Sequence, residues 1–413
     1  MNTQKREPNI RFNQFKELWK VVKLDSISKK VKSKNLNNTF ENVLTNSAEF
    51  GIIPQRDFFD KDIANLKSLN GYYVVQPNDF VYNPRISNKA PVGPIKANFL
   101  NTTGVMSPLY YVFRTQNIDV FFLAKYFDSS YWHKFMKLNG DTGARSDRFA
   151  IKDSVFKEMP IPFPSHSEQS AIGSLFRTLD DLLASYKDNL ANYQSFKATM
   201  ISKMFPKAGQ TVPEIRLDGF EGEWKELQLS DICQKVTEKN KDNKFNETFT
   251  NSAEFGIINQ RDFFEKDISN EKSLNTYYVV RNNDFVYNPR ISNYAPVGPI
   301  KRNKLGRTGV MSPLYFVFRI INSNIDLNFL ETFFDTNTWH KFMKLNGDSG
   351  ARSDRFAIKD SVFLTMPIAF PSLPEQQAIG VYFSNLDNLI SAHKEKISQL
   401  ETLKKKLLQD MFI

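Results

Sequence analysis

Three polar stretches hold the side chains best suited to recognition or chemistry, and each occurs twice. The first, Tyr82-Asn-Pro-Arg-Ile-Ser-Asn-Lys-Ala-Pro-Val-Gly-Pro-Ile-Lys96, recurs from Tyr287 to Lys301. Its prolines forbid helix, so Arg85, Ser87, Asn88 and Lys96, and their counterparts Arg290, Ser292, Asn293 and Lys301, stand on stiffened loops. Arg and Asn carry the paired donors and acceptors that match guanine and adenine edges in the major groove of DNA. A solvated, proline-rich turn is the plainer alternative. The second stretch, Asn139-Gly-Asp-Thr-Gly-Ala-Arg-Ser-Asp-Arg148, recurs from Asn346 to Arg355. Its glycines permit close backbone approach. Arg145 and Arg148 flank Ser146, as Arg352 and Arg355 flank Ser353, in a pattern that fits phosphate or a base as well as an Arg–Asp surface network. The third, Asn46 to Arg56 and again Asn251 to Arg261, offers polar groups that serve equally well as loop caps.

Other reactive types are sparse. Cys233 is the only cysteine, which rules out a disulfide within the chain and reads as a small buried hydrophobe. His133 and His340 each follow a Trp with no cysteine or acidic cluster beside them, so a structural role is expected and a metal site is not. Lys404-Lys405-Lys406 reads as a solvated helix face. No glycine-rich phosphate loop occurs. Tyr82-Asn83-Pro84-Arg85 matches only part of the Asn-Pro-Pro-aromatic motif of amino-methyltransferases, and no strand-turn-helix for a methyl donor accompanies it. Catalysis and cofactors are therefore not expected.

These stretches lie in one unit written twice. Residues 45–114 match 250–319 at 57 of 70 positions and 132–156 match 339–363 at 24 of 25, whereas 167–205 and 374–412 share only 13 of 39. A simple recent duplication would leave both regions equally similar. The blocks have been made or held alike, by exchange or by a shared ligand, while the segments after them drifted. Within each block, Tyr72–Val75, Asp79–Tyr82 and Leu109–Phe113 read as strands and 118–138 as one helix. The 37 Phe residues read mostly as core.

Each block ends in a long helix. Ile172, Leu175, Leu179, Leu182, Tyr186, Tyr193, Phe196 and Met200 keep one stripe, matched by Ile379, Tyr382, Leu386, Leu389, His393, Leu400, Leu403 and Leu407. Ser165-x-x-Glu168 and Ser372-x-x-Glu375 read as capping boxes. At 1.5 Å per residue each helix spans roughly 58 Å, the length of a spacer. The expected class is α+β: two globular domains (1–164 and 216–371), each followed by a long helix (165–205 and 372–413), with a linker at 206–215 and the apolar stripes marking a helix–helix seam. A second stripe, Phe176, Leu183, Leu190 and Ile201 with Phe383, Ile390, Ile397 and Leu408, lies outside that seam and is expected to face partner helices.

The chain has 55 Lys and Arg against 45 Asp and Glu, a net charge of +10 and a pI near 9.3, which suits a polyanionic partner. Neither a signal-peptide pattern nor an 18-residue apolar run occurs, so a cytoplasmic protein with no membrane partner is expected.

The order domain, helix, domain, helix resembles the DNA-specificity subunit of a type I restriction-modification enzyme. Glu168-Gln169 and Glu375-Gln376-Gln377 open the helices as in that family. Residues 213–224 and 403–412 resemble the segments that begin and finish its half-units. The resemblance implies two target-recognition domains, each reading half of a split, double-stranded DNA target. It implies that the two helices pair as an antiparallel coiled coil, the ruler between the domains, with two adenine-methyltransferase subunits docked on the frame and motor-endonuclease subunits joining to restrict. The lead-in to the first block departs from this pattern, with Gln14 and Glu17 where the second has Gly219 and Gly222. The near-identity of the two blocks departs as well. Together with antiparallel helices it implies an interrupted palindrome, whose spacer should lengthen when four residues follow Ala184. A stand-alone modifying enzyme and a scaffold or decoy that does not read DNA remain as alternatives.

Overall fold

The computed structural model describes residues 7–58, 66–142, 147–263, 271–348 and 354–413. Packing divides the chain into two compact units, Met1–Lys187 with Glu395–Ile413, and Asp188–Lys394. Each unit contains one globular block and parts of both long helices, His166–Met204 and Leu373–Asp410. The α+β architecture with two repeated domains and paired long helices is as expected.

In the first unit an antiparallel four-stranded sheet has the order Ser28–Lys30, Tyr111–Thr115, Phe80–Tyr82, Ile95–Ala97. Two further pairs, Leu44–Ser47 with Gly51–Pro54 and Tyr73–Val75 with Gly104–Met106, extend the block. Lys20–Lys23 pairs with Pro160–Phe163, which ties the lead-in to the strand that feeds the long helix. The second unit repeats every pairing, with Cys233–Lys235, Phe316–Ile320, Phe285–Tyr287 and Ile300–Arg302 as its larger sheet. Stacked phenylalanines, Phe80 on Phe113 and Phe285 on Phe318, fill the core beneath each sheet. Cys233 is buried there, and burial pushes its thiol up to about 12.

The single helix expected over 118–138 is two, Val120–Asp128 and His133–Asn139. Ser129 stops the first: its hydroxyl and its N–H both donate to the Tyr126 carbonyl, and its backbone turns extended. The chain then buries Trp132, whose indole N–H donates to the Phe127 carbonyl. Apolar spacing runs through this corner unbroken, so periodicity alone does not reveal it.

The first long helix opens on half of the expected capping box. Glu168 N–H donates to Ser165 Oγ at 3.3 Å, but the Glu168 carboxylate, 1% exposed, takes a two-pronged bond from Arg11. Arg216 and Glu375 repeat the pair. The neighbouring Gln169 accepts from Asp119 N–H and donates to the Pro164 carbonyl, and Gln376 does the same with Asp326 and Pro371. Asp119 and Asp326 are the N-caps of the block helices. These N-caps approach the long helices so closely that a Cβ at Gly173 or Gly380 would stand 2.8 or 2.6 Å from the aspartate oxygen. The Glu-Gln pair is thus a joint between block and helix.

In the first unit Asp180 pairs with Lys404 and Lys187 with Glu401. In the second, Lys197 pairs with Asp387 and Tyr193 packs edge-on to His393. As numbers rise along one helix they fall along the other, so the helices run antiparallel within each unit. Each helix ends by delivering Met-Phe into a core: Phe205 packs on Trp224 and Phe383, Phe412 on Phe122 and Phe176.

The seam is drawn from both expected stripes: Ile172, Leu179, Ile379 and Leu400 of the first are buried as expected, but so are residues placed in the second. Phe176, Leu183, Phe383 and Ile390 are buried, and Leu190 and Ile397 half-buried, so they form the internal seam rather than a partner face. Leu182, Phe196, Leu389 and Leu403, assigned to the seam, are exposed. Apolar residues at heptad positions a, d and g give two candidate seams, and burial falls on a and d because only those rows face the partner helix. Among the described residues no helix is long and apolar enough to cross a membrane.

Candidate nucleic-acid interface

The proline-rich loop leaves the sheet at Tyr82 and returns at Ile95. Its launch strand is braced by Asp79, fully buried, which accepts a two-pronged bond from Arg114; Asp284 and Arg319 do the same in the second unit. Asn46, on the hairpin strand Leu44–Ser47, donates to the carbonyls of Val81 and Pro94 and so holds both ends of the loop. Asn83 in turn donates to the Asn46 carbonyl. Asn251 and Asn288 repeat the clasp, so Asn46 and Asn251 are the loop caps that the third stretch allowed.

Within the loop, Asn83 Oδ1 accepts from Arg85 N–H, an Asx turn. Ser87 and Ala90 exchange backbone bonds, which presents Ser87, Asn88 and Lys89 at an exposed turn. Gly93, at φ +81°, lies so close beneath Asn83 that a Cβ would meet its carbonyl at 2.1 Å, and Gly298 repeats this at φ +83°. Only glycine closes so tight a base.

The second polar stretch is zipped to the first. Arg85 and Arg148 form an antiparallel bridge, with Ile86 N–H donating to the Asp147 carbonyl and Phe149 N–H to the Pro84 carbonyl. Arg290 and Arg355 do likewise. Asp147 lies 3.9 Å from each of Arg85 and Arg148, the outer limit of an ion pair, and Arg85 is 64% exposed. One exposed carboxylate faces two guanidiniums, so each loop pair keeps a net positive charge. Asn46, Arg85, Ser87, Asn88 and Arg148 line one cleft of about 810 Å³. Its arginines suit a polyanion edge, and among the described residues of its lining nothing resembles a nucleophile–base pair. Arg145, Ser146, Arg352 and Ser353 lie outside the described residues.

Lys96 and Lys301 do not join this surface. Lys96 donates to Asp128 at 2.6 Å, inside a network that continues through Lys125 and Asp180 to Lys404. Lys301 donates to Asp335, which Lys197 approaches at 3.9 Å before pairing with Asp387. Both lysines brace the block against its helices, and Lys404 is not the solvated charge expected. Burial pushes the Asp128 carboxyl up, but Lys96 and Lys125 outweigh it and hold it below the ordinary carboxylate range. His133 and His340 pack edge-on against Trp132 and Trp339, and burial, aided by Lys137 and Lys344, lowers their pKa. Among the described residues no cluster could hold a metal ion.

Comparison with known proteins identifies the domain. Residues 221–402 match the type I restriction modification DNA specificity domain, and most of this segment is the part that the first half repeats. That segment, a little under half of the chain, is a DNA specificity domain of the type I restriction-modification kind. It is 22% identical to the type I restriction enzyme MjaVIII specificity subunit of Methanocaldococcus jannaschii over 95% of this chain and 91% of that one. Its fold is similar to the crystal structure of the type I restriction-modification S subunit of M. genitalium, with a TM-score of 0.59, 13% identity and 98% and 99% of the two chains covered. DNA sequence specificity is therefore the role of the matched domain.

Proposed function

We propose that each block reads one half of an interrupted DNA target through its zipped loop pair: Arg85, Ser87, Asn88 and Arg148 in one unit, Arg290, Ser292, Asn293 and Arg355 in the other. Arg145, Ser146, Arg352 and Ser353 belong to the same stretches of sequence and are included in the proposal. The observation that carries this reading is the bridge between Arg85 and Arg148, repeated by Arg290 and Arg355, which unites two polar stretches into one basic surface. Arginines at such a site grip phosphate or form bidentate pairs with guanine. Because like residues recur on the two blocks, whose long helices run antiparallel, the target is an interrupted palindrome. Its half-sites are centred about one helical turn apart, near 34–36 Å.

Two adenine-methyltransferase subunits dock on the exposed stripe of the helices, Leu182 with Leu403 and Phe196 with Leu389, and motor-nuclease subunits join them. These four side chains are exposed, while Lys187 pairs with Glu401 and Lys197 with Asp387 between the same helices.

Mapping methylated adenines in cells expressing this chain with its methyltransferase tests the reading. An interrupted palindrome is expected; two unrelated half-sites overturn it. Four residues inserted after Ala184, matched by four opposite them after Leu400, lengthen both helices by about 6 Å. The spacer should then grow by one or two base pairs, at about 3.4 Å each, with both half-sites unchanged.

A further inference from the structure

The hairpins 44–54 and 249–259 each hold an aromatic ring out from the block. Phe50 is 62% exposed and Phe255 60%, in a chain whose largest buried side chains are mostly phenylalanines. The tips are stiffened to do so. Ser47 Oγ accepts from the N–H groups of Glu49 and Phe50, and Ser252 Oγ from those of Glu254 and Phe255. The Phe50 ring also packs edge-on to Phe58 at 6.3 Å. An exposed phenylalanine held by two independent devices is poorly explained as an accident of loop sequence.

The first tip belongs to the rim of the proposed reading surface, and the second is tied to its own loop by the same clasp, Asn251 donating to the Val286 and Pro299 carbonyls. Ser47, Ala48 and Glu49 line the same cleft as Arg85, Asn88 and Arg148, and Lys89 reaches Glu49 at 2.7 Å. The hairpin is also bound to the loop base through Asn46 and Asn83. A ring placed there meets whatever groove the arginines enter. Phenylalanine neither donates nor accepts a hydrogen bond. Along the major-groove edges of the four base pairs, the one apolar feature is the C5-methyl group of thymine. Wedging the ring between bases would instead require unstacking, at a few kcal/mol per step.

We propose that Phe50 and Phe255 each pack on a thymine C5-methyl group within the half-site their block reads, making thymine a required base there. The inference rests on the reading of these blocks as DNA-recognition domains, and the following measurements separate the two.

The full-length chain with its methyltransferase is titrated with a duplex carrying the sequence found by methylation mapping. The same duplex is then used with uracil in place of every half-site thymine, which removes only methyl groups. Affinity of the wild type should fall about four-fold for each ring deprived of its methyl partner. The F50A/F255A chain should bind the thymine duplex more weakly and should not distinguish it from the uracil duplex. A circular-dichroism spectrum like that of the wild type verifies that the exposed substitutions leave the fold intact. A wild type indifferent to uracil, a double variant that still discriminates, or half-sites without thymine would each overturn the proposal. So would a wild-type rise in 2-aminopurine fluorescence on binding that the variant lacks, which would mark the rings as wedges. Absence of any sequence-specific binding by the wild type would instead refute the recognition reading, and this proposal with it.

Discussion

The two units present the same reading loops on different internal supports. Arg85 bridges Arg148 as Arg290 bridges Arg355, and Asn46 clasps its loop as Asn251 does. Beneath them, Lys125 links Asp128 to Asp180 in the first unit, whereas Thr332 at the matching place bonds only its own helix. Arg302, where the first unit has Ala97, meets Asn328 and Glu331 of the block helix, and so does not tune the loop beside it as its position in the sequence suggests. Surface geometry is fixed by bonds made within the loops. The support tolerates exchange as long as each buried carboxylate keeps a cation.

The joint common to both units is the most sensitive place to break. Arg11→Ala strands the Glu168 carboxylate without its partner and should cost about 3–5 kcal/mol, as should Arg216→Ala in the other unit. Urea unfolding followed by fluorescence checks this, and equal losses would establish that the joints are equivalent. Leu183→Asp and Ile390→Asp should be similarly severe because both residues are buried, so loss of partner binding in these variants would report unfolding. Leu182→Asp with Leu389→Asp should instead leave the melting temperature nearly unchanged and abolish co-purification with the methyltransferase.

Smaller effects sharpen the likeness of the reading surfaces. Arg85→Ala and Arg290→Ala should each weaken binding by about 1–3 kcal/mol. If the guanidinium reads a base edge, choice at one base pair relaxes; if it holds phosphate, the salt dependence becomes shallower for all sequences. Matching outcomes for the pair are expected, and affinity unaffected in both would return the loops to a surface network.

Lys125→Thr converts the first support into a likeness of the second and should cost about 1 kcal/mol, since Lys96 still serves Asp128 and Lys404 still serves Asp180. The native Asp128 carboxyl lies below its ordinary value. Its stabilisation is therefore complete above that value, near pH 4, and is lost as pH falls through the native one. Removing Lys125 should move the acid-induced loss to higher pH, which unfolding measured across pH 2 to 6, as a series of about five points, would register. Lys89→Tyr should have the least effect, because its pair with Glu49 is exposed and worth no more than about 1 kcal/mol. Methylation mapping should then find both half-sites equally tolerant.

Sequence alone determined the repeat, the two long helices, the polar stretches and the resemblance to the specificity subunits. These follow from residue identity and spacing, which survive without coordinates. Local bonding already lay beyond it: the corner at Ser129 depends on one hydroxyl finding the Tyr126 carbonyl, and apolar spacing continues across it. Tertiary packing decided the rest. Which apolar rows become the seam depends on where the other helix lies, so Leu183 is inside and Leu182 outside although both fit a helical period. Whether a lysine reads DNA or braces the frame depends on what faces it, and Asp128, 32 residues along the chain from Lys96, settles that. The reading surface exists because backbone bonds bring Arg85 beside Arg148, two positions that no local pattern connects. Composition and period are properties of one segment, whereas partners and faces are properties of pairs that only folding brings together.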